Sequence, residues 1–302
     1  MSTIIAHLRL MRPANIITAI ADILAGFAVS GAAGQVFSLQ LHEFPQLLNS
    51  LLWLILATVG LYGGGIVFND VFDVKLDRKE RPERPIPSGK ASVLSASILA
   101  GFLIIMGIVA AWQVSAFSGV IALIVAALAI LYNAWGKHQL VFGPINMGLC
   151  RGGNLLLGVS VFPAALQELW YIALVPVIYI AAITMISRGE VHGGNRKAIV
   201  GGGAMYGMII FAIIILAFLS EIPWWQVIPF VLLFAFLIFR PLLKALKEPE
   251  PKFIGKAVKA GVLSLIVLNA SLATAFAGWI YGLIVLLLLP VSLVIAKKFS
   301  VT

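Results

Sequence analysis

Ten apolar runs of membrane-spanning length divide this chain, and its basic residues gather in or beside alternate gaps between them. Runs of about 20 apolar residues can cross a bilayer as helices, since a helix satisfies its own backbone hydrogen bonds. Such runs lie near 14–34, 47–68, 92–112, 116–134, 144–163, 168–187, 200–219, 223–240, 257–276 and 279–296. One set of gaps takes Arg9 and Arg12, six cations in 69–91, Lys137 and Arg151, then Arg188, Arg196 and Lys197. Six more cations in 240–259, with Lys297 and Lys298, complete all 21 Lys and Arg of the chain. The opposite gaps, near 35–46, 113–116, 164–168, 220–223 and 277–278, hold none. Cytoplasmic segments carry the Lys and Arg excess, so both termini are expected in the cytoplasm and the number of crossings is expected to be even. The expected fold is an all-α polytopic bundle of nine to ten spans. Ten is favoured by charge, with 257–296 as one broken helix the alternative.

Composition agrees with a membrane class. The chain is 61% hydrophobic and 11% charged, against roughly 25% charged in soluble domains. It is read as one membrane domain over residues 1–302. A formal charge of +9 would suggest nucleic acid in a soluble protein; here loop topology explains it, and no nucleic-acid partner is expected. Cys150 is the single cysteine, so no intramolecular disulfide can form. The basic start and apolar run of the first 34 residues have the outline of a signal peptide. The spanning length of that run, interrupted by Asn15 and Asp22, argues that it is kept as a helix. Asp22 is expected to face a cavity or the bundle interior, where intramembrane acids are tolerated. The glycine clusters Gly63–Gly65 and Gly201–Gly203 read as sites of close helix packing.

The densest chemistry is Asn69-Asp70-Val71-Phe72-Asp73-Val74-Lys75-Leu76-Asp77, at the end of the second span. Asp70, Asp73 and Asp77, spaced 3 and then 4 apart, fall on one face of a helix. Three adjacent carboxylates repel, and a divalent cation among them makes the arrangement favourable. Hard oxygen ligands suit Mg²⁺, which typically bridges one or two carboxylates to a phosphate-bearing substrate. Arg78, Lys79, Arg81 and Arg84 follow at once, and Pro85, Pro87 and Gly89 favour a turn-rich fold over the site. Guanidinium groups grip phosphate oxygens in a bidentate fork.

Two further cytoplasmic stretches join this cluster. One carries Tyr132, Asn133 and Lys137, followed by Asn146, Arg151 and Asn154 in the next span. Arg151 and Asn154 share one helix side, with Asn146 less aligned. A guanidinium inside an apolar run is costly unless it meets an anion. The other stretch, 187–197, holds Arg188, Glu190, His192, Asn195, Arg196 and Lys197.

With these motifs the whole chain resembles the UbiA superfamily of intramembrane prenyltransferases. The resemblance is most specific at Asn69-Asp70-x-x-Asp73-x-x-x-Asp77, Arg84-Pro85, Gly89, Tyr132 to Lys137 and Arg151. It implies an all-helical bundle of about nine spans that moves a prenyl group from a prenyl diphosphate to an acceptor. It further implies that Asp70, Asp73 and Asp77 hold Mg²⁺ on the diphosphate, that Arg84, Lys137 and Arg151 contact its oxygens, and that Asn15 lines the pocket. Asn69, Tyr132 and Asn154 are expected in the same substrate site. The family's second acidic motif, after the sixth span, carries two or three aspartates. This chain has Glu190 there as the further metal ligand, with His192 and Asn195 as neutral helpers, so a weaker second cation site is implied. The wording of 187–194 is similar to that of the EboC-like subgroup.

The reading is thus an Mg²⁺-dependent prenyltransferase acting on a prenyl diphosphate and a membrane-soluble, aromatic or lipid-like acceptor. The cation stabilises the departing pyrophosphate, nearby cations strengthen that effect in a partly dehydrated site, and the prenyl tail lies between helices. Two alternatives have distinct signatures. A non-catalytic prenyl-lipid carrier would keep the pocket and lose turnover with the second acidic motif. A secondary transporter would place charge near the membrane midplane in paired repeats, whereas here charge gathers at one face.

Overall fold

The computed structural model describes residues 3–37, 44–189, 193–194 and 196–299. It has helices and no strands among the described residues. In chain order these are α1 (Thr3–Met11), α2 (Pro13–Val29), α3 (Ala32–Phe37), α4 (Phe44–Phe72), α5 (Val74–Glu80), α6 (Val93–Trp112) and α7 (Ala116–Ala134). There follow α8 (Phe142–Val159), α9 (Pro163–Leu169), α10 (Leu174–Ser187), α11 (Arg196–Leu219), α12 (Ile228–Lys247), α13 (Pro251–Leu286) and α14 (Leu288–Lys298). Several starts follow from local chemistry. Ser92 and Ser115 accept the backbone N–H of Ser95 and Ser118, each at 3.0 Å, which satisfies an otherwise orphaned donor. Pro13, Pro163 and Pro251 open helices, where the missing N–H costs nothing.

Seven helical stretches among the described residues are long and apolar enough to cross a membrane, or eight when α1 and α2, bent by 45°, count as one span. The chain is a multi-pass, all-α integral membrane protein. The ten expected runs differ from this count at two places. The α8 run carries Asn146, Arg151 and Asn154, which lower its apolarity. The 251–297 stretch counts once by length, yet its geometry is that of a hairpin. Gly278 takes φ 81°, ψ 170°, a conformation open to glycine. Beyond it the chain turns back: a side chain at Gly282 would strike Thr274 and Ala270. Tyr281 donates to the Leu24 carbonyl at 3.1 Å and Ser292 to that of Ala14 at 3.2 Å, so the returning limb runs alongside α2.

Helices approach closely where glycine removes side chains. A Cβ at Gly26 of α2 would lie 2.2 Å from the Leu155 carbonyl of α8, and one at Gly158 of α8 would lie 2.5 Å from the Ile23 carbonyl of α2. Among the glycine clusters, Gly64 packs on Ala100 and Ile104 of α6, and Gly202 on Ile186 of α10. These contacts fix α2, α4 and α8 around the polar groups described next.

Candidate functional site

The bundle end formed by the start of α2, the end of α4, α5 and the α7–α8 connection gathers charge. The α4 helix stops at Phe72, and Asp73 sits between helices at φ −88°, ψ 4° before α5 begins. Hydrogen bonds from Asp73 N to Asn69 O (3.0 Å) and from Asp77 N to Asp73 O (2.8 Å) carry the helical path across this joint. Asp70 and Asp77 are buried and share one cation: Arg84 Nη1 lies 3.3 Å from Asp70 Oδ1 and 2.7 Å from Asp77 Oδ2. Asp73 turns to Lys137, at 2.5 Å. Asp70 takes a second guanidinium, from Arg12 at 2.8 Å. Three carboxylates therefore meet three cations.

This differs from a single acidic face. Among the described residues, no three His, Cys, Asp or Glu side chains converge as a metal-holding group. Asp73 pairs with Lys137, whereas Asp70 and Asp77 share Arg84. Each carboxylate still spends one oxygen on these cations, and the second oxygen of each takes no hydrogen bond among the described residues. That is a hard, anionic oxygen set of the kind Mg²⁺ prefers.

The sequence marks Arg12 only as a topological charge; the structure gives it a carboxylate partner. It occupies the left-handed region, φ 47°, ψ 69°, at the bend between α1 and α2. Ala6 and Leu10 of α1 pack with Val67 of α4, Ile86 and Ala91 of the 81–92 turn, and Ala96 and Ala100 of α6. So α1 and the turn-rich segment after Arg84 roof the charged cluster. The signal for Arg12 is the Arg-Pro pair: a residue before proline avoids the helical region, which marks the bend.

The other expected residues divide. Asn69 donates to Asn133 Oδ1 at 3.0 Å, and Asn133 donates to the Gly65 carbonyl at 2.9 Å, so this pair ties α4 to α7. Tyr132 is half-buried near the end of α7. Asn15 is buried, within one turn of Arg12 on α2. Asn146 is also buried. Its amide, oriented by its hydrogen bonds, donates to Leu128 O (3.0 Å) and accepts from Tyr132 N (3.2 Å), so it faces α7.

Arg151 and Asn154 share a side of α8 as expected, but they face Asp22 rather than the charged end. Arg151 Nε lies 2.7 Å from Asp22 Oδ2, with side-chain exposures of 4% and 0%. Its Nη2 donates to the Thr18 carbonyl at 2.5 Å, and its guanidinium sits 5.3 Å from the Tyr62 ring centre. Asn154 donates to Asp22 (3.0 Å) and to the Ala19 carbonyl (2.9 Å) and accepts from Thr58 (2.7 Å). Asn269 completes the cluster, donating to Asp22 at 2.7 Å. This buried network pins α2, α4, α8 and α13 together. Asp22 is ten positions along α2 from Arg12, about 15 Å at the helical rise. Glu190, His192 and Asn195 lie outside the described residues. Their neighbour Arg188 donates to the Leu140 carbonyl, which brings the end of α10 to the α7–α8 connection.

Fold and site define a class: a polytopic helical-bundle membrane protein with an ionic cluster at one end suited to phosphate oxygens and a hard cation. Comparison with known proteins agrees. Residues 23–256 match the UbiA prenyltransferase family, and the chain belongs to that family. It is 36% identical over 168 residues to digeranylgeranylglyceryl phosphate synthase of Methanococcoides burtonii, covering 54% of this chain and 57% of that protein. The Saccharolobus solfataricus synthase of the same name is 32% identical over 183 residues, covering 60% of each chain. These matches span little more than half the length of the curated relatives. Among solved structures, a UbiA homologue from Aeropyrum pernix K1 superposes with TM-score 0.67 at 15% identity, over 85% of this chain and 96% of that one. A UbiA homologue from Archaeoglobus fulgidus, bound to GPP and Mg²⁺, gives 0.62 at 15% identity, over 84% and 99%. These two likenesses establish the fold.

Proposed function

We propose that this protein is an Mg²⁺-dependent prenyltransferase that moves a polyprenyl group from its diphosphate to the hydroxyl of a glyceryl-phosphate lipid. The observation that carries this reading is the balanced cluster of Asp70, Asp73 and Asp77 with Arg12, Arg84 and Lys137 at the mouth of an apolar bundle. The family supports the reaction class. The synthases named above support the glyceryl-phosphate acceptor, and the Archaeoglobus homologue carries GPP with Mg²⁺.

Asp70, Asp73 and Asp77 fit a hard cation through their second oxygens, with Glu190 as a further ligand and His192 and Asn195 as neutral neighbours. When bound, Mg²⁺ supplies Lewis-acid stabilisation of the pyrophosphate leaving group. Arg84 and Lys137, already beside the carboxylates, are placed to receive phosphate oxygens in charge-assisted hydrogen bonds. The allylic C–O bond to diphosphate breaks and pyrophosphate leaves, a C–O bond to the acceptor hydroxyl oxygen forms, and the hydroxyl proton passes to solvent. Both termini and the charged end are assigned to the cytoplasm by the basic-residue asymmetry.

The test is incubation of purified protein with radiolabelled prenyl diphosphates, Mg²⁺ and a phosphorylated or unphosphorylated prenylglycerol acceptor. Label is expected in a doubly prenylated product of the phosphorylated acceptor. Asp73→Asn should lose Mg²⁺-dependent binding of a non-reactive diphosphate analogue while remaining folded in detergent. Unchanged analogue binding by that variant would refute the metal assignment. Binding without turnover of any acceptor would give the carrier reading the lead.

A further inference from the structure

The segment that presents the carboxylates has a second, unassigned face. Laid out at about 100° per residue, Asp70 and Asp77 fall on one side, and Arg78, Lys75, Lys79, Phe72 and Leu76 occupy the other. The structure agrees with this division. Asp70 and Asp77 are buried, whereas Phe72 and Leu76 are each 48% exposed, and Lys75, Arg78 and Lys79 are exposed. These three cations make no ion pair or side-chain hydrogen bond among the described residues, unlike Arg12, Arg84 and Lys137. They border, with Leu76, a shallow and open surface hollow. The hollow lies just beyond Phe72, where a helix fit to span the membrane ends, so it opens at headgroup depth.

We infer that this hollow binds the anionic headgroup of a lipid of the surrounding leaflet and so fixes the helix that carries Asp77. Charge complementarity selects the occupant: three cations without partners around one hollow suit a phosphate, and the exposed Phe72 and Leu76 beside them suit its acyl chains. An amphipathic segment with cations around an apolar stripe is the arrangement that lies in a membrane interface. Each Lys or Arg near an anionic leaflet contributes about 1 kcal/mol, about fivefold in lipid affinity.

The test uses the full-length protein in detergent, without prenyl diphosphate or acceptor, so it stands apart from the transferase reading. Phosphatidylglycerol and phosphatidylcholine are supplied in equal amounts, and retained lipid is counted by native mass spectrometry. Wild type is expected to retain phosphatidylglycerol preferentially, Arg78→Gln to lower that preference about fivefold, and the triple variant Lys75→Gln/Arg78→Gln/Lys79→Gln to abolish it. Arg240→Gln and Lys244→Gln, on α12, should leave it unchanged. Equal retention by wild type and the triple variant would overturn the inference.

Discussion

Replacing Arg151 by methionine tests whether the intramembrane ion pair is structural. The change removes the guanidinium beside Asp22 and its bond to the Thr18 carbonyl. Asp22, with no exposed surface, would keep only the amides of Asn154 and Asn269. Breaking a buried pair by deleting one partner costs about 3–5 kcal/mol, because the other charge stays buried. For a chain of this size that corresponds to a fall in Tm on the order of 10 °C. The assay is thermal or SDS unfolding in detergent followed by circular dichroism, for wild type, Arg151→Met, Asp22→Asn and the double variant. The double variant should cost less than the sum of the singles, since the uncompensated charge is gone. Strict additivity would refute the pairing. Arg151→Met with wild-type stability but no diphosphate binding would refute the structural role and return Arg151 to the substrate site.

Gly158→Ala should destabilise the α2–α8 crossing by about 1–3 kcal/mol, read by the same unfolding assay, because its methyl would lie 2.5 Å from the Ile23 carbonyl. Arg84→Lys should weaken diphosphate-analogue binding about tenfold, an effect of about 1.4 kcal/mol. Arg84 reaches both Asp70 and Asp77 through Nη1, which leaves the rest of its planar guanidinium for phosphate oxygens; a lysine ammonium offers only a point charge there, and isothermal titration would show the loss. A reporter fused after Thr302 should be cytoplasmic; a reporter on the opposite side would mean that the hairpin at Gly278 does not form in the membrane.

The sequence was most legible where chemistry is local. The helical runs, the acid spacing at 70–77 and the shared side of Arg151 and Asn154 follow from periodicity and charge within a few turns. What escaped it depends on distant partners. Arg12 finds Asp70 across 58 positions, and Asp22 finds Asn269 across 247. Helix packing alone brings these together. Asn69, beside Asp70 in sequence, donates its amide to Asn133 on α7, a partner 64 positions away. Arg151 was correctly expected to need an anion, but the anion is Asp22 of its own chain. At the joint between α4 and α5, Asp73 takes a bridge-region backbone and pairs with Lys137 across 64 positions.

Arg12 shows backbone comfort and side-chain duty pulling apart at one position. A non-glycine residue in the left-handed region carries about 1–2 kcal/mol of strain, and glycine would relieve it. Glycine would also remove the arm that reaches Asp70. Selection on stability alone would favour glycine there, and selection on the charged end would favour arginine. An Arg12→Gly protein should therefore keep its bend while losing one of the two guanidiniums on Asp70. That would make position 12 a place where a hardier protein and a weaker binder of diphosphate arise from the same exchange.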